Sequence, residues 1–293
     1  MIGDDDVRAA TDGSAMSAGA AVDRAAAPRL LFIGGLHRSG TSLIHRCISA
    51  HPQVAGFHDT GSLEDEGQYL QSVYPIGQAH GGPGRFALDP RCHLTESSPL
   101  VSRSSRELLL AQWGAFWEPG ASVRVEKSPP NLVRMRFLQA LFPESAFLMV
   151  MRHPVAVACA TQKWSHTPWT TLIHHWVAAH EIMLADSAHV SRVHVIRYED
   201  FVRAPEETLR PVWSTLGLPS QPAGERVRSD VNRTYFERWS KTRNPVRVLD
   251  RRRAERHDEA ARRFGYSVRD LAFSGRNTPR AAERRPGSCD PPE

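Results

Sequence analysis

A run of nine residues, Gly34-Gly35-Leu36-His37-Arg38-Ser39-Gly40-Thr41-Ser42, joins the apolar stretch Leu30-Leu31-Phe32-Ile33 to an amphipathic one, and it constrains the fold more than any other feature of the chain. Four consecutive large apolar residues bounded by glycine read as a strand buried on both faces. Leu43, Ile44, Cys47 and Ile48 then recur at helical spacing. That helix must stop near His51-Pro52, because a proline pushes the residue before it out of the helical region. A glycine-containing turn between a strand and a helix is where backbone N–H groups converge on an anion. The first amides of the helix lack intrahelical partners, and its dipole favours negative charge.

The alternation continues downstream. Ser122 to Glu126 reads as a strand, and Leu132 to Phe142 as a helix closed by Pro143. Ala146 to Met151 is a second continuous apolar strand, with a helix from Val155. A longer helix covers 170–189, and His194 to Tyr198 forms a strand. Pro205-Glu206-Glu207 opens a helix that turns Leu209, Val212, Trp213 and Leu216 inward. The pattern predicts an α/β fold of P-loop-like, three-layer type with a central, mostly parallel sheet. Ligands of such sheets gather at the carboxyl ends of the strands. That selects Gly34 to Ser42, Lys127 to Asn131, Arg152 to Pro154 and Tyr198 to Asp200. Residues 61–115 fit the alternation poorly and read as an insertion or an acceptor-side lid. Residues 1–27 and 274–293 predict disordered ends around one domain spanning 28–273.

With 41% hydrophobic residues and a net charge of +5, the chain is too apolar for disorder throughout and suits an anionic ligand. Its basic residues are scattered, which argues against a nucleic-acid stripe. Only Lys127, Lys163 and Lys241 are lysines, so a lysine within a motif stands out. Cys47, Cys92, Cys159 and Cys289 form no CxxC pair, which predicts free thiols. With no basic-then-apolar leader and no apolar run of about 18 residues, the expected location is cytoplasmic, without a membrane span. His174, His175 and His180 lack HExxH spacing, so no metal is expected.

Compared with the nucleotide-triphosphatase pattern GxxxxGK[ST], Gly35 and Gly40 are correctly spaced, but Thr41 stands where the lysine belongs. The charge has moved inside the loop to Arg38, and no strand ends in an obvious Mg²⁺ ligand. A GTPase or ATPase is disfavoured, and a kinase-like phosphotransferase stays as an alternative. Phe32-Ile33-Gly34-Gly35 through Ser42, then Ala50-His51-Pro52, resembles the 5'-phosphosulfate loop of sulfotransferases that use 3'-phosphoadenosine 5'-phosphosulfate (PAPS). The tyrosylprotein and carbohydrate branches are closer than the small-phenol branch. Further matches follow in order at Glu126-Lys127-Ser128-Pro129, Met151-Arg152-His153-Pro154, Arg197-Tyr198-Glu199-Asp200-Phe201, Leu216-Gly217-Leu218-Pro219 and Phe264-Gly265-Tyr266.

The resemblance implies transfer of a sulfuryl group from PAPS to a hydroxyl acceptor (small molecule, glycan or peptide), with 3'-phosphoadenosine 5'-phosphate (PAP) as product. It sets Arg38 against the 5'-phosphosulfate and its bridging oxygen, Ser39, Gly40, Thr41 and Ser42 around the 5'-phosphate, and Lys127 against the sulfuryl or the bridging oxygen. His37, which replaces a proline of the tyrosylprotein branch, either assists the leaving group or faces solvent, the second being preferred. Arg152 matches the arginine of the 3'-phosphate site. The serine usual eight residues later is Ala160 here, so Thr161 replaces it only if the helix starts differently, and a catalytically idle PAPS-binding protein becomes thinkable. Tyr198 matches the adenine neighbour, with Glu199 and Asp200 orienting the loop. Asp59 aligns with a catalytic glutamate and is the preferred base. His58 beside it is the kind of base used by the small-phenol branch. Trp164, Trp169 and Trp176 either line an aromatic acceptor pocket or pack as core, the second being preferred, and Lys241 or Arg243 read as additional phosphate ligands.

Overall fold

The computed structural model describes residues 29–223, 230–273 and 275. Five parallel strands lie in the order β2-β3-β1-β4-β5: β1 is Arg29–Gly35, β2 Val54–Gly56, β3 Val123–Lys127, β4 Ala146–Met151 and β5 Val193–Arg197. The chain leaves β1 toward β2 and β3 on one side, then crosses to β4 and β5 on the other. Neighbouring loops therefore diverge at the carboxyl end of β1 and open a crevice there. The α/β architecture and the parallel sheet match the reading from sequence; the expected disordered ends, 1–27 and 274–293, lie outside the described residues apart from Gly275.

Alternate residues of β1 feed two cores. Leu30 and Phe32 join Phe147, Met149 and Met151 beneath α2 (Arg103–Gly114), α3 (Met135–Leu141), α4 (Pro154–Ser165) and α5 (Trp169–Ser187). Leu31 and Ile33 join Leu148 and Val150 beneath α1 (Thr41–Ser49) and α7 (Pro205–Leu216), where Ile44, Ile48 and Trp213 are fully or nearly fully buried. Burying both faces removes most of the apolar surface of β1 and β4 from water, at about 25 cal/mol for each Å². This fixes the strand ends that carry the polar residues.

Several elements depart from the periodicity. β2 is three residues long, too short for alternation to register, and completes the edge beside β3. The expected helix 132–142 splits into a 3-10 turn, Pro129–Val133, and α3. Asn131 causes the break, its side-chain amide donating to the Ile33 carbonyl at 3.1 Å. This pulls the turn onto β1, so closely that a Cβ at Gly34 would lie 2.6 Å from the Leu132 amide nitrogen. Residues 61–115 form short 3-10 turns followed by α2, which buries only Leu109 and Trp113 and so leaves little apolar signal. β5 ends at Arg197, and Tyr198 begins α6 (Tyr198–Arg203). Beyond it come α8 (Val231–Ser240), α9 (Pro245–Ala254) and α10 (Asp258–Arg262), each nearly bare of buried apolar residues. No helix among the described residues is long and apolar enough to cross a membrane.

Candidate active site

The carboxyl ends of β1, β4 and β5 open into a cleft of about 760 Å³ lined by residues of the β1–α1 turn, the turn at 63–66, Arg152, Trp164, Tyr198 and α8. Its floor is the β1–α1 turn. Gly40 takes φ 104° at the N-terminus of α1, a conformation that favours glycine. The Tyr198 ring lies over it so closely that a Cβ there would come within 2.4 Å of the ring. Arg38 is exposed and also has a left-handed backbone, at φ 72°. Thr41 and Ser42 line the cleft, and the Ser39 hydroxyl is buried without a partner.

Arg152 enters from the end of β4, 5% exposed. Its Nε donates to the Asn232 side chain at 2.8 Å and its Nη1 to the Arg38 carbonyl at 2.9 Å, while Nη2 is buried with no partner. The guanidinium stacks on the Tyr198 ring at 4.2 Å, with Tyr235 at 5.6 Å. Burial lowers its pKa, the Tyr198 and Glu199 charges opposing. Glu199 organises this corner: its carboxylate accepts from the His153 amide at 2.9 Å, the Asn232 amide at 2.7 Å and the Tyr266 hydroxyl at 2.7 Å. Asn232 and Tyr235 were not found from sequence. Their only signal is three-residue spacing on one face of α8.

His37 does not project freely into solvent. Half-buried, it sits edge-on to Phe86 at 5.9 Å and Trp164 at 6.0 Å, its Nδ1 shut away without a partner. Burial, helped by the Lys127 and Arg38 charges, pulls its pKa down to about 3, so the ring is neutral at neutral pH. Thr161 lies below the loop with its hydroxyl 3.5 Å from the His37 carbonyl and is 2% exposed; it does not line the cleft. Trp169 and Trp176 are core residues, whereas Trp164 is 48% exposed on the cleft wall. Lys241 pairs with Glu237 at 3.2 Å, and neither it nor Arg243 lines the cleft.

The facing wall is an acidic turn. Phe57 anchors it by stacking on Trp117 at 5.0 Å. His58 and Asp59 follow with side chains 65% and 102% exposed, the Asp59 backbone at φ 50°, and neither lines the cleft. The chain then folds back through a hydrogen bond from the Thr60 amide to the Asp65 carboxylate at 2.8 Å and one from its hydroxyl at 2.7 Å. Burial opposes ionisation of Asp65, yet the Thr60 hydrogen bonds and the Lys127 charge hold it below the usual carboxylate range. Lys127, 1% exposed at the end of β3, lies under this turn. Its Nζ donates to the Glu64 carbonyl at 2.6 Å and sits 3.5 Å from the Glu66 carboxylate. Behind it Glu126 is fully buried, accepting from Ser128 at 2.5 Å and from Asn131. Burial outweighs those hydrogen bonds and lifts its pKa to about 7.

A profile described as the sulfotransferase family matches residues 28–222. Protein-tyrosine sulfotransferase 2 of Gallus gallus is 26% identical over 201 residues, 64% of this chain and 51% of that protein. Nodulation protein NoeE of Sinorhizobium fredii is 23% identical over 238 residues, 73% of this chain and 55% of that protein. The chain thus spans about half the length of these curated relatives. Among solved structures, the sulfotransferase domain of the Synechococcus PCC 7002 olefin synthase superposes with a TM-score of 0.50 at 18% identity, over 82% of this chain and 95% of that domain. This last likeness is one of fold.

Proposed function

The chain belongs to the sulfotransferase family, and from that premise we propose that it transfers a sulfuryl group from PAPS to a hydroxyl acceptor. The observation that carries the reading is that one cleft holds two arginines on different elements. Arg38 stands on a loop at a helix N-terminus, and Arg152 is held at the end of β4 with its Nη2 buried and without a partner. A donor with phosphate at both the 5' and 3' positions satisfies both. The 5'-phosphosulfate takes the amides and hydroxyls of Ser39 to Ser42, with Gly40 admitting the close approach. The 3'-phosphate takes Arg152, and the adenine lies beside Tyr198. Thr161 supports the His37 carbonyl and so acts on the loop without touching the phosphate.

The acceptor enters past Leu63 and Trp164, both exposed on the cleft wall, so an acceptor with an apolar or planar face beside its hydroxyl fits that side. Its oxygen forms the new bond to sulfur as the bond from sulfur to the bridging oxygen breaks, and the electron pair leaves on the 5'-phosphate of PAP. Negative charge grows on that bridging oxygen, where Arg38 and the loop amides stabilise it. Lys127 reaches the sulfuryl group when its Nζ exchanges the Glu64 carbonyl for the donor.

The test is ligand-linked stability. PAP should raise the unfolding temperature, reaching about 2.7 kcal/mol at a hundredfold excess over Kd, and AMP should do so much less at equal concentration. Equal shifts would remove the 3'-phosphate site and the reading with it.

A further inference from the structure

Direct transfer requires a base within reach of the acceptor hydroxyl, and Asp59 and His58 both lie outside the cleft. We propose that Glu66 takes the acceptor's proton, a catalytic role that rests on the sulfotransferase reading and identifies a residue which the family resemblance did not single out.

Two carboxylates line the cleft among the described residues, Glu64 and Glu66. Glu64 is exposed and accepts from the Ser42 hydroxyl at 3.3 Å, on the loop that receives the 5'-phosphate. An arriving phosphate repels it from there, so it is badly placed to hold a fixed position during transfer. Glu66 differs in each respect. It is 4% exposed, and its Oε1 stands 3.5 Å from Lys127 Nζ, the cation assigned to the sulfuryl group. On that assignment a group beside this cation is beside the reacting sulfur, where the acceptor oxygen arrives.

The carboxylate is also held. Its Oε2 accepts from the Gln68 side-chain amide at 2.5 Å. Gln68 is itself fixed at both ends: its side-chain oxygen accepts from the Gly77 amide at 2.8 Å, and its backbone amide donates to the Ser128 hydroxyl at 2.9 Å. Ser128 in turn donates to Glu126. Gln68 is thus a positioning residue that occupies one oxygen of Glu66 and leaves the other facing Lys127.

The charged and titratable groups around Glu66 are Lys127, Glu64, Glu126 and Tyr69. Burial pushes the Glu66 carboxyl up; Lys127 and Gln68 pull it back without cancelling the rise. A base poised above the ordinary carboxylate range accepts a hydroxyl proton more readily. In the step itself the O–S bond forms, the bridging S–O bond breaks onto PAP, and the acceptor proton passes to Glu66. From there it returns to water through the cleft mouth.

The experiment follows conversion of PAPS to PAP by the full chain with phenol, with 4-nitrophenol and with water alone as acceptor. Glu66→Gln should lower kcat by roughly 10²- to 10⁴-fold with phenol, while PAP affinity stays within a factor of about three of wild type. The loss should be smaller with 4-nitrophenol, which ionises readily. Wild-type kcat should fall toward acid with a limb above the ordinary glutamate range, since the base must be deprotonated, and Glu66→Gln should lack that limb. Gln68→Ala should move the limb and lower kcat less than Glu66→Gln does. Wild-type kcat and an unmoved limb in Glu66→Gln would overturn the assignment, as would a loss carried by Asp59→Asn instead. If the wild type binds PAP but releases none from PAPS with any acceptor, the sulfotransferase reading itself has failed, and the assignment falls with it.

Discussion

The two walls of the cleft are built by opposite means. The β1–α1 wall is set by the sheet. Phe32 and Ile33 are wholly buried on opposite faces of β1, Gly40 gives the turn its left-handed step, and Tyr198 closes over it. The acidic wall from Phe57 to Glu66 contains no strand or α-helix and takes positive φ at Asp59, Glu64 and Asp65, all non-glycine residues. Side-chain hydrogen bonds and one lysine hold it. A wall fixed by backbone suits an unvarying donor, whereas a wall fixed by side chains can change with the acceptor at little cost to the fold.

Lys127 is where the two walls meet, so its removal should have the largest effect. Lys127→Met leaves the Glu64 carbonyl without its donor and Glu66 buried without its cation. Breaking a buried pair from one side costs on the order of 3 kcal/mol. Adding Glu66→Gln removes the unpaired charge, so the double variant should recover part of that loss in denaturant unfolding. Recovery is what separates a charge effect from lost packing. If the double variant is less stable than the single one, the acidic wall does not depend on this pair.

The same contrast explains what could be read from the chain. β1, β4 and α7 are legible because each buries a continuous apolar strip whose spacing survives in the sequence. Arg38 and Arg152 stand out in the sequence because they follow the apolar strips of β1 and β4, and Lys127 and Tyr198 because they stand at the end of β3 and directly after β5. The 57–102 segment offers no period, since its short turns are held by contacts such as Gln68 to Gly77 and Arg134 to the Pro75 carbonyl. Position counted onward from the loop therefore sets Asp59 at the family's catalytic glutamate, while the fold turns that side chain outward and brings Glu66 to the cleft seven residues later. Asn232 is illegible in the sequence for a related reason. α8 is polar almost throughout and buries only Trp239, so nothing in its pattern shows which face meets Arg152.

A second comparison divides the donor wall along its length. If Arg38 faces the bridging oxygen as proposed, Arg38→Ala removes charge from where it grows during S–O cleavage, and kcat should fall by a factor on the order of 10² or more. On the proposed reading Arg152→Ala removes the group that holds the 3'-phosphate, so donor KM should rise by more than kcat falls. Steady-state kinetics with varied PAPS distinguishes the two. A pure KM effect at Arg38 would place the reacting sulfur elsewhere in the cleft.

The smallest effect should come from the acidic wall alone. Thr60→Val keeps the side-chain shape and removes the hydroxyl that donates to Asp65 at 2.7 Å, while the Thr60 amide keeps its own bond to the same carboxylate. Asp65 is partly exposed, so solvent screens the interaction and the loss should be about 1 kcal/mol or less. That corresponds to a fall of about 2–4 °C at most in Tm for a domain of this size. PAP affinity should not change, because Thr60 does not line the cleft. Turnover should fall modestly, because Glu64 and Glu66 follow the turn that Thr60 and Asp65 close. Calorimetry with and without PAP, alongside kcat, measures all three quantities on one variant. If PAP binding weakens as much as kcat falls, the two walls are coupled, and the division between a donor side fixed by the sheet and an acceptor side fixed by side chains is wrong.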